Sequence, residues 1–139
     1  MPGIQKSLRI RERVVAAIEE IAAERESDFS TVANELLDGA TRMLRCPGVV
    51  FMHGPTGARA RLAGTGIDVW EVIATHKSLR RNFTRLRKAY PHLGEAQLRA
   101  ALNYYKSYRE EIDRQVARNA AWTPDRVREK YPFMAGETE

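Results

Sequence analysis

The chain has 139 residues, 43% hydrophobic and 29% charged, a composition typical of a globular protein rather than a disordered one. Its single cysteine, Cys46, excludes an internal disulfide framework, and no apolar run approaches the roughly 20 residues that a membrane-spanning helix needs. We therefore expect a cytoplasmic protein with no membrane partner.

The net charge of +5 is unevenly distributed along the chain. Residues 1–41 carry −3, residues 42–88 carry +8, and residues 89–139 are neutral. Within the middle segment, twelve residues contain six bases and no acid: Lys77, Arg80, Arg81, Arg85, Arg87 and Lys88. Such a segment attracts phosphates by electrostatic steering, although a solvated helix face has the same composition.

Residues 4–10 alternate between apolar and polar side chains, which predicts a short strand. Helical periodicity follows from Val14, and Asp28 has the position of an N-cap for a second helix. Cys46-Pro47-Gly48 then ends that helix. A lone strand leaves its backbone groups unpaired, so we expect two copies to pair antiparallel in a homodimer or a higher even oligomer.

Strand, helix and helix at this length resemble the ribbon-helix-helix family of bacterial DNA-binding proteins. The resemblance implies that residues 1–45 form a dimerisation and DNA-binding module whose strand enters the major groove. The base-reading residues would be Gln5, Ser7 and Arg9. It also implies that Ser27 and Ser30 hold a phosphate at the start of the second helix. The alternative is a strand that only seals a dimer.

Beyond Gly48 the pattern predicts a β-hairpin and then a helix-turn-helix. Residues 49–52 and 58–63 read as strands, and Asp68 with Glu71 has the spacing of a capping box. A short basic helix, a turn at Tyr90-Pro91 and a second helix from Glu95, continuing through Ile112, follow. The predicted fold is mainly α with short β, with this second domain at residues 46–118.

Residues 48–114 also resemble a bacterial family known only as a domain of unknown function. The resemblance rests on Leu62-Ala63-Gly64-Thr65-Gly66-Ile67, Ala89-Tyr90-Pro91-His92-Leu93 and Gln97-Leu98-Arg99-Ala100-Ala101-Leu102. The family usually has Arg where this chain has Gly66. Its members often look like VapB-type antitoxins, which repress their own operon and neutralise a PIN-like ribonuclease toxin. The resemblance therefore implies a bacterial, nucleoid-associated protein with a possible toxin partner.

Within the helix-turn-helix, the second helix is the candidate recognition helix. Its groove-facing candidates are Gln97, Arg99 and Asn103. The side chains expected to hold phosphates, and so to supply affinity without sequence information, are Lys77, Arg80, Arg81, Arg85 and Lys88.

Residues 119–139 are predicted to be a C-terminal docking tail. Trp122, Tyr131 and Phe133 would anchor it, either on the chain's own core or in a partner's groove.

No catalytic, cofactor or metal pattern stands out. His53, His76 and His92 lie in different elements, and one cysteine supplies no zinc-binding pair. We expect a sequence-specific repressor that binds double-stranded DNA and is not an enzyme. The alternatives are a protein-interaction module with a basic face, a stand-alone regulator without a toxin, and an RNA-binding protein.

Overall fold

The structure, a computed structural model, describes residues 3–54 and 57–120. The predicted docking residues Trp122, Tyr131 and Phe133 lie outside the described residues. The described residues form six helices and one two-stranded antiparallel sheet, which confirms the prediction of a mainly α protein with short β. The chain divides into two compact units, the first ending at Arg42 and the second beginning at Met43.

The first unit contains α1 (Glu12–Glu24) and most of α2 (Phe29–Arg45). Its small core consists of Ile18, Ala22 and Val32, with Phe29 and Leu36 packed against it. The N-cap predicted at Asp28 is confirmed, because its carboxylate accepts a hydrogen bond of 2.7 Å from the Thr31 backbone N–H.

The described residues that precede α1 contain no strand in this single chain. Residues 3–11 belong to neither a helix nor a sheet, and Ile4 and Leu8 are 84% and 69% exposed. The strand predicted at residues 4–10 requires a second strand for its backbone groups, and one chain offers none there. The ribbon-helix-helix dimer therefore stays a prediction.

The second unit contains the predicted hairpin, which is confirmed. β1 (Val49–Gly54) pairs antiparallel with β2 (Gly57–Leu62), with Val49 opposite Leu62. Gly48, which precedes β1, has a φ of +93°, and a Cβ there would lie 3.0 Å from the Cβ of Ala100. A glycine at this position thus permits both the left-handed turn after α2 and the close approach to α5 (Glu95–Ser107).

Three further helices complete this unit: α3 (Val69–Ser78), α4 (Phe83–Ala89) and α6 (Arg109–Asn119). α3 packs against α4, α5 and α6, and the hairpin packs against α3 and α5. The largest side chains that this packing buries completely are Tyr104, Leu62, Ile73, Leu86, Leu98 and Ile112. Burial of a large apolar side chain stabilises a fold by roughly 1.5–3 kcal/mol relative to leaving it exposed to water.

Two sequence-based helix predictions are wrong in detail. The basic run from Lys77 to Lys88 is not one helix, because Arg80 and Arg81 have φ values of +55° and +58° and end α3 before α4 starts. The helix predicted from Glu95 through Ile112 breaks at Tyr108, where φ is −129° and ψ is 44°. The basic residues are therefore divided between the last turn of α3, a turn, and α4.

Candidate nucleic-acid interface

α4 and α5 follow one another in the second unit, with residues 90–94 between them. Leu86 of α4 and Leu98 of α5 are both fully buried in the same core. The Asn82 side chain caps α4 by accepting a 3.0 Å hydrogen bond from the Arg85 N–H. The two helices are therefore held by shared packing, and each has a defined start.

Tyr90, the aromatic residue of the Tyr-Pro step, fixes the turn against α3. Its hydroxyl lies 3.1 Å from the Thr75 hydroxyl and donates to the Glu71 carbonyl at 3.4 Å. Burial raises the pKa of the Tyr90 phenol, so it remains a neutral donor at physiological pH. The turn thus has a specific anchor in addition to the apolar core.

The turn between α3 and α4 presents two arginines from left-handed backbone. The Arg81 N–H bonds to the His76 carbonyl at 2.8 Å, which closes the end of α3. Both Arg80 and Arg81 are exposed. Left-handed backbone costs a residue with a Cβ about 1–2 kcal/mol. Two neighbouring arginines therefore store strain at this point of the molecule.

The predicted phosphate-holding residues of this domain fall into two groups. Arg80, Arg81, Arg85 and Lys88 are exposed and form no ion pair within the part of the chain that the structure describes. We call these four residues the basic surface. Lys77 differs, because its ammonium lies 2.8 Å from the Asp113 carboxylate.

Lys77 is part of a link between α3 and α6. The Tyr105 hydroxyl donates to the same Asp113 oxygen at 2.8 Å, and the Lys77 ammonium lies 5.1 Å from the Tyr105 ring centroid. The hydrogen bond to Asp113 raises the pKa of Lys77, and the same bond lowers the pKa of Asp113. The geometry gives Lys77 a structural role that sequence spacing of 36 residues does not reveal.

The candidate recognition residues of α5 differ in their freedom. Gln97 accepts a 2.8 Å hydrogen bond from the Gly94 N–H, so its amide oxygen caps the helix. Arg99 pairs with Glu95 at 2.9 Å, and its guanidinium stacks on the Phe83 ring. Asn103 is exposed and has no hydrogen bond to any other described residue. Of these three, Arg99 and Asn103 share the exposed face of the helix.

Sequence reasoning missed Lys106 on the same face. It is exposed in α5 and follows Asn103 by three residues and Arg99 by seven. Positions separated by three, four and seven residues lie on one side of a helix. This spacing was the signal that could have identified Lys106 from the sequence.

The predicted N-terminal site residues are all accessible in the first unit. Gln5, Ser7 and Arg9 are exposed in the segment without secondary structure, and Ser27 and Ser30 are exposed beside the start of α2. The hydrogen bond from the Thr31 N–H lowers the pKa of Asp28, so a negative charge already occupies that helix start.

A buried carboxylate, which the sequence marks only as a helix cap, organises the other side of the second unit. Asp68 is 4% exposed and accepts hydrogen bonds from the Arg61 guanidinium at 3.1 Å and the Trp70 indole N–H at 3.3 Å. Arg59 lies 3.6 Å from its second oxygen. The Asp68 backbone N–H donates to the Glu71 carboxylate at 2.7 Å, as a capping box requires.

Among residues 3–54 and 57–120, no group of three or more His, Cys, Asp or Glu side chains is placed to hold a metal ion. Burial lowers the pKa of His76, which keeps that imidazole neutral beside Arg81. Cys46 is buried in the core of the second unit. No helix in the described ranges is both long and apolar enough to cross a membrane.

The described residues therefore define a mainly helical protein with one two-stranded antiparallel hairpin in its second unit. Residues 53–105 match the family model described as "Protein of unknown function (DUF433)", so a DUF433 domain is present in this chain. This match confirms the predicted domain of unknown function.

The crystal structure of a DUF433 member protein from Anabaena variabilis is similar to this chain at 29% sequence identity. The alignment covers 78% of this chain and 99% of that protein, with a TM-score of 0.44. No curated protein matches the chain.

Proposed function

We propose that this protein is a sequence-specific repressor that binds double-stranded DNA as a dimer. The observation that carries the proposal is the basic surface, Arg80, Arg81, Arg85 and Lys88, beside a helix-turn-helix arrangement. These cations are exposed, have no ion-pair partner among the described residues, and lie in a segment without acids. Such residues bind phosphates and release counterions, which is the main source of affinity for DNA.

Base recognition is assigned to α5 in this proposal. Arg99 and Asn103 are exposed on the helix that follows the turn, as on a recognition helix. Arg pairs well with guanine and Asn with adenine in the major groove. Gln97 supports this role indirectly, because its amide oxygen fixes the start of the helix. Lys106 extends the same face toward a flanking phosphate.

The N-terminal unit supplies dimerisation and a second DNA contact in this proposal. Two copies of the exposed segment at residues 4–10 would pair as an antiparallel ribbon, which covers Ile4 and Leu8. Gln5, Ser7 and Arg9 would then project into the major groove. Dimerisation would also double the number of phosphate contacts, and a two-fold symmetric dimer would bind an operator of matching two-fold symmetry.

An antitoxin role is proposed from the family resemblance alone. In that role the protein represses its own operon in the bacterial cytoplasm, and its C-terminal tail binds a PIN-like toxin. Co-expression of the chain with the product of the neighbouring gene, followed by purification through a tag on one partner, tests this. A complex that survives gel filtration and is lost in Trp122→Ala supports the role, whereas two separate peaks for the unaltered pair contradict it.

DNA binding is tested by fluorescence anisotropy with the duplex from upstream of the gene and a shuffled duplex of equal length. We expect affinity to fall with salt, with a logarithmic slope of about −0.9 for each phosphate contacted. Arg85→Gln should weaken both duplexes and reduce that slope by about 1. Asn103→Ala and Arg9→Ala should instead reduce discrimination between the duplexes.

Arg114→Gln is the matched control, because Arg114 is an exposed arginine on α6, outside the basic surface. It should leave affinity and slope unchanged. Binding that does not depend on salt, or equal effects of Arg85→Gln and Arg114→Gln, would exclude the proposed interface. Failure to bind either duplex would favour the alternative function, a module whose basic face binds an acidic protein.

A further inference from the structure

A cavity of about 250 Å³ lies in the second unit, on elements that carry none of the proposed DNA contacts. It opens between β2, the start of α3 and the end of α6. Its lining comprises Ala58, Arg59, Trp70, Gln115, Arg118 and Asn119. A liquid water fills roughly 30 Å³, so the space corresponds to about eight waters or an organic molecule of about ten heavy atoms.

The charge around this cavity is positive. Arg59 and Arg61 share one carboxylate, that of Asp68, at 3.6 Å and 3.1 Å. Arg118 forms no ion pair within the described part of the chain. Both charged residues of the lining, Arg59 and Arg118, are therefore basic, and the carboxylate that Arg59 contacts is shared with Arg61. Guanidinium groups bind carboxylates through two parallel hydrogen bonds, so this lining favours a planar anion.

Trp70 adds a large flat surface to the lining. Its indole N–H donates to Asp68 at 3.3 Å, which fixes the ring at the cavity. Because Asp68 is buried and also holds Arg59, one carboxylate positions both the aromatic and a cationic part of the lining. An indole held in this way offers a stacking surface for an aromatic ligand.

Gln115 provides an uncommitted hydrogen-bond acceptor. Its side-chain oxygen is buried and has no hydrogen-bond partner among the described residues. The neighbouring Asn119 amide bonds to the Gln115 backbone carbonyl at 2.7 Å, not to its side chain. An unsatisfied buried polar group is costly. This oxygen is an acceptor, so a ligand that places a hydroxyl or N–H donor against it would recover an interaction that the protein alone does not make.

We infer that this cavity is a binding site for a small aromatic carboxylate. The carboxylate lies between Arg59 and Arg118, and the ring packs against Trp70. A hydroxyl group on the ring would donate to the Gln115 side-chain oxygen. The site is independent of the proposed DNA interface, since it shares no residue with it. A failure of either idea would leave the other unaffected.

Benzoate is the probe, because it combines a carboxylate with one ring in about ten heavy atoms. The indole N–H signals of Trp70 and Trp122 are followed by ¹H–¹⁵N NMR in the full chain, and Trp122→Phe identifies the Trp70 signal. We expect a saturable shift of the Trp70 signal with benzoate. Benzyl alcohol, which lacks the charge, and acetate, which lacks the ring, should bind at least several-fold more weakly.

Arg118→Gln should weaken benzoate binding by about tenfold, since it removes a charge-assisted hydrogen bond. Arg114→Gln, one helical turn away and outside the lining, should change it by less than about twofold. Three results would each overturn the inference: no movement of the Trp70 signal, an equal response to benzyl alcohol or acetate, or equal effects of the two arginine variants.

Discussion

The guanidinium of Arg99 lies 4.4 Å from the centroid of the Phe83 ring, which joins the exposed face of α5 to the first residue of α4. Arg99 also bonds to Glu95 on its own helix. Its charge is therefore oriented from two sides while its side chain stays 63% exposed. In the proposed DNA complex, such restraint reduces the entropy that ordering this arginine on a base would cost.

The stacking of Arg99 on Phe83 should be measurable as a coupling free energy. In a double-mutant cycle with Phe83→Leu and Arg99→Gln, urea unfolding should give a coupling of about 0.5–1 kcal/mol. Asn103→Ala is the control in place of Arg99→Gln, and its effect should add to that of Phe83→Leu. Strict additivity in both cycles would mean that the contact contributes nothing.

Replacing either left-handed arginine by glycine should separate stability from DNA binding. Arg80→Gly and Arg81→Gly each remove the steric cost of a Cβ at positive φ, so the free energy of unfolding should rise by about 1 kcal/mol. Both substitutions should weaken DNA binding, because each removes a cation from the basic surface. Urea unfolding and anisotropy measure the two effects.

Arg85→Gln is the comparison for this pair, since Arg85 lies in regular helix. It should weaken DNA binding without raising stability. If the glycine variants are less stable than the parent chain, the backbone at Arg80 and Arg81 is not strained.

Loss of the charge on Asp68 should destabilise the second unit. Asp68→Asn preserves the size of the side chain but leaves Arg59 and Arg61 without their counter-ion. Both arginines retain some contact with solvent, so we expect a loss of about 2 kcal/mol rather than the larger cost of a fully buried pair. Thermal unfolding measures it.

Asp38→Asn is a suitable control for Asp68→Asn, because Asp38 pairs with Arg42 at 3.2 Å on the exposed face of α2. Its effect should stay below about 0.5 kcal/mol. An equally small effect of Asp68→Asn would show that the buried carboxylate does not hold the hairpin to α3.

His76 should make stability depend on pH in a defined direction. Burial holds its pKa below 6.5 in the folded chain, so the unfolded chain takes up a proton first as the pH falls. Stability from the neutral imidazole is complete above pH 6.5 and declines below it, toward the lower folded pKa.

The pH effect is tested by comparing urea midpoints at about pH 7.5 and about pH 5.5 for the parent chain and His76→Gln. The parent chain should lose more stability on acidification than the variant. His92→Gln, at an exposed position, should behave like the parent chain. The prediction fails if His76→Gln shows the same loss as the parent chain.

Local chemistry explains which parts of the fold were predictable from sequence. The cap at Asp28 and the hairpin depend on side chains a few residues apart, so their patterns are visible in the sequence. The Gln97 cap was equally readable, because Gly94 and Gln97 have capping-box spacing. Gln97 is nevertheless interpreted from the sequence as a base-reading residue, because a glutamine side chain can either cap a helix or bind a base.

The remaining features depend on tertiary packing. Neither glycine nor proline is present between Lys77 and Arg81, yet Arg80 and Arg81 leave the helix, and only Asn82, an N-cap residue type, marks the start of α4. The helix break at Tyr108 is likewise invisible in the periodicity. The partner of Lys77 is 36 residues away, and no local rule connects them. The run of basic residues therefore predicted that most of these side chains are exposed. It did not predict that, among the described residues, Lys77 forms an ion pair whereas Arg80, Arg81, Arg85 and Lys88 do not.

The ion pair between Lys77 and Asp113 bears on where the boundaries of the folded domain lie. The match to the DUF433 family model ends at residue 105, yet Asp113 lies beyond that limit, and so does the fully buried Ile112. At the other end, Cys46 and Val49 belong to the same core but precede residue 53. A fragment cut at the limits of sequence similarity would expose apolar surface at both ends and leave Lys77 without its carboxylate. The unit that folds is therefore wider than the segment that the family model matches.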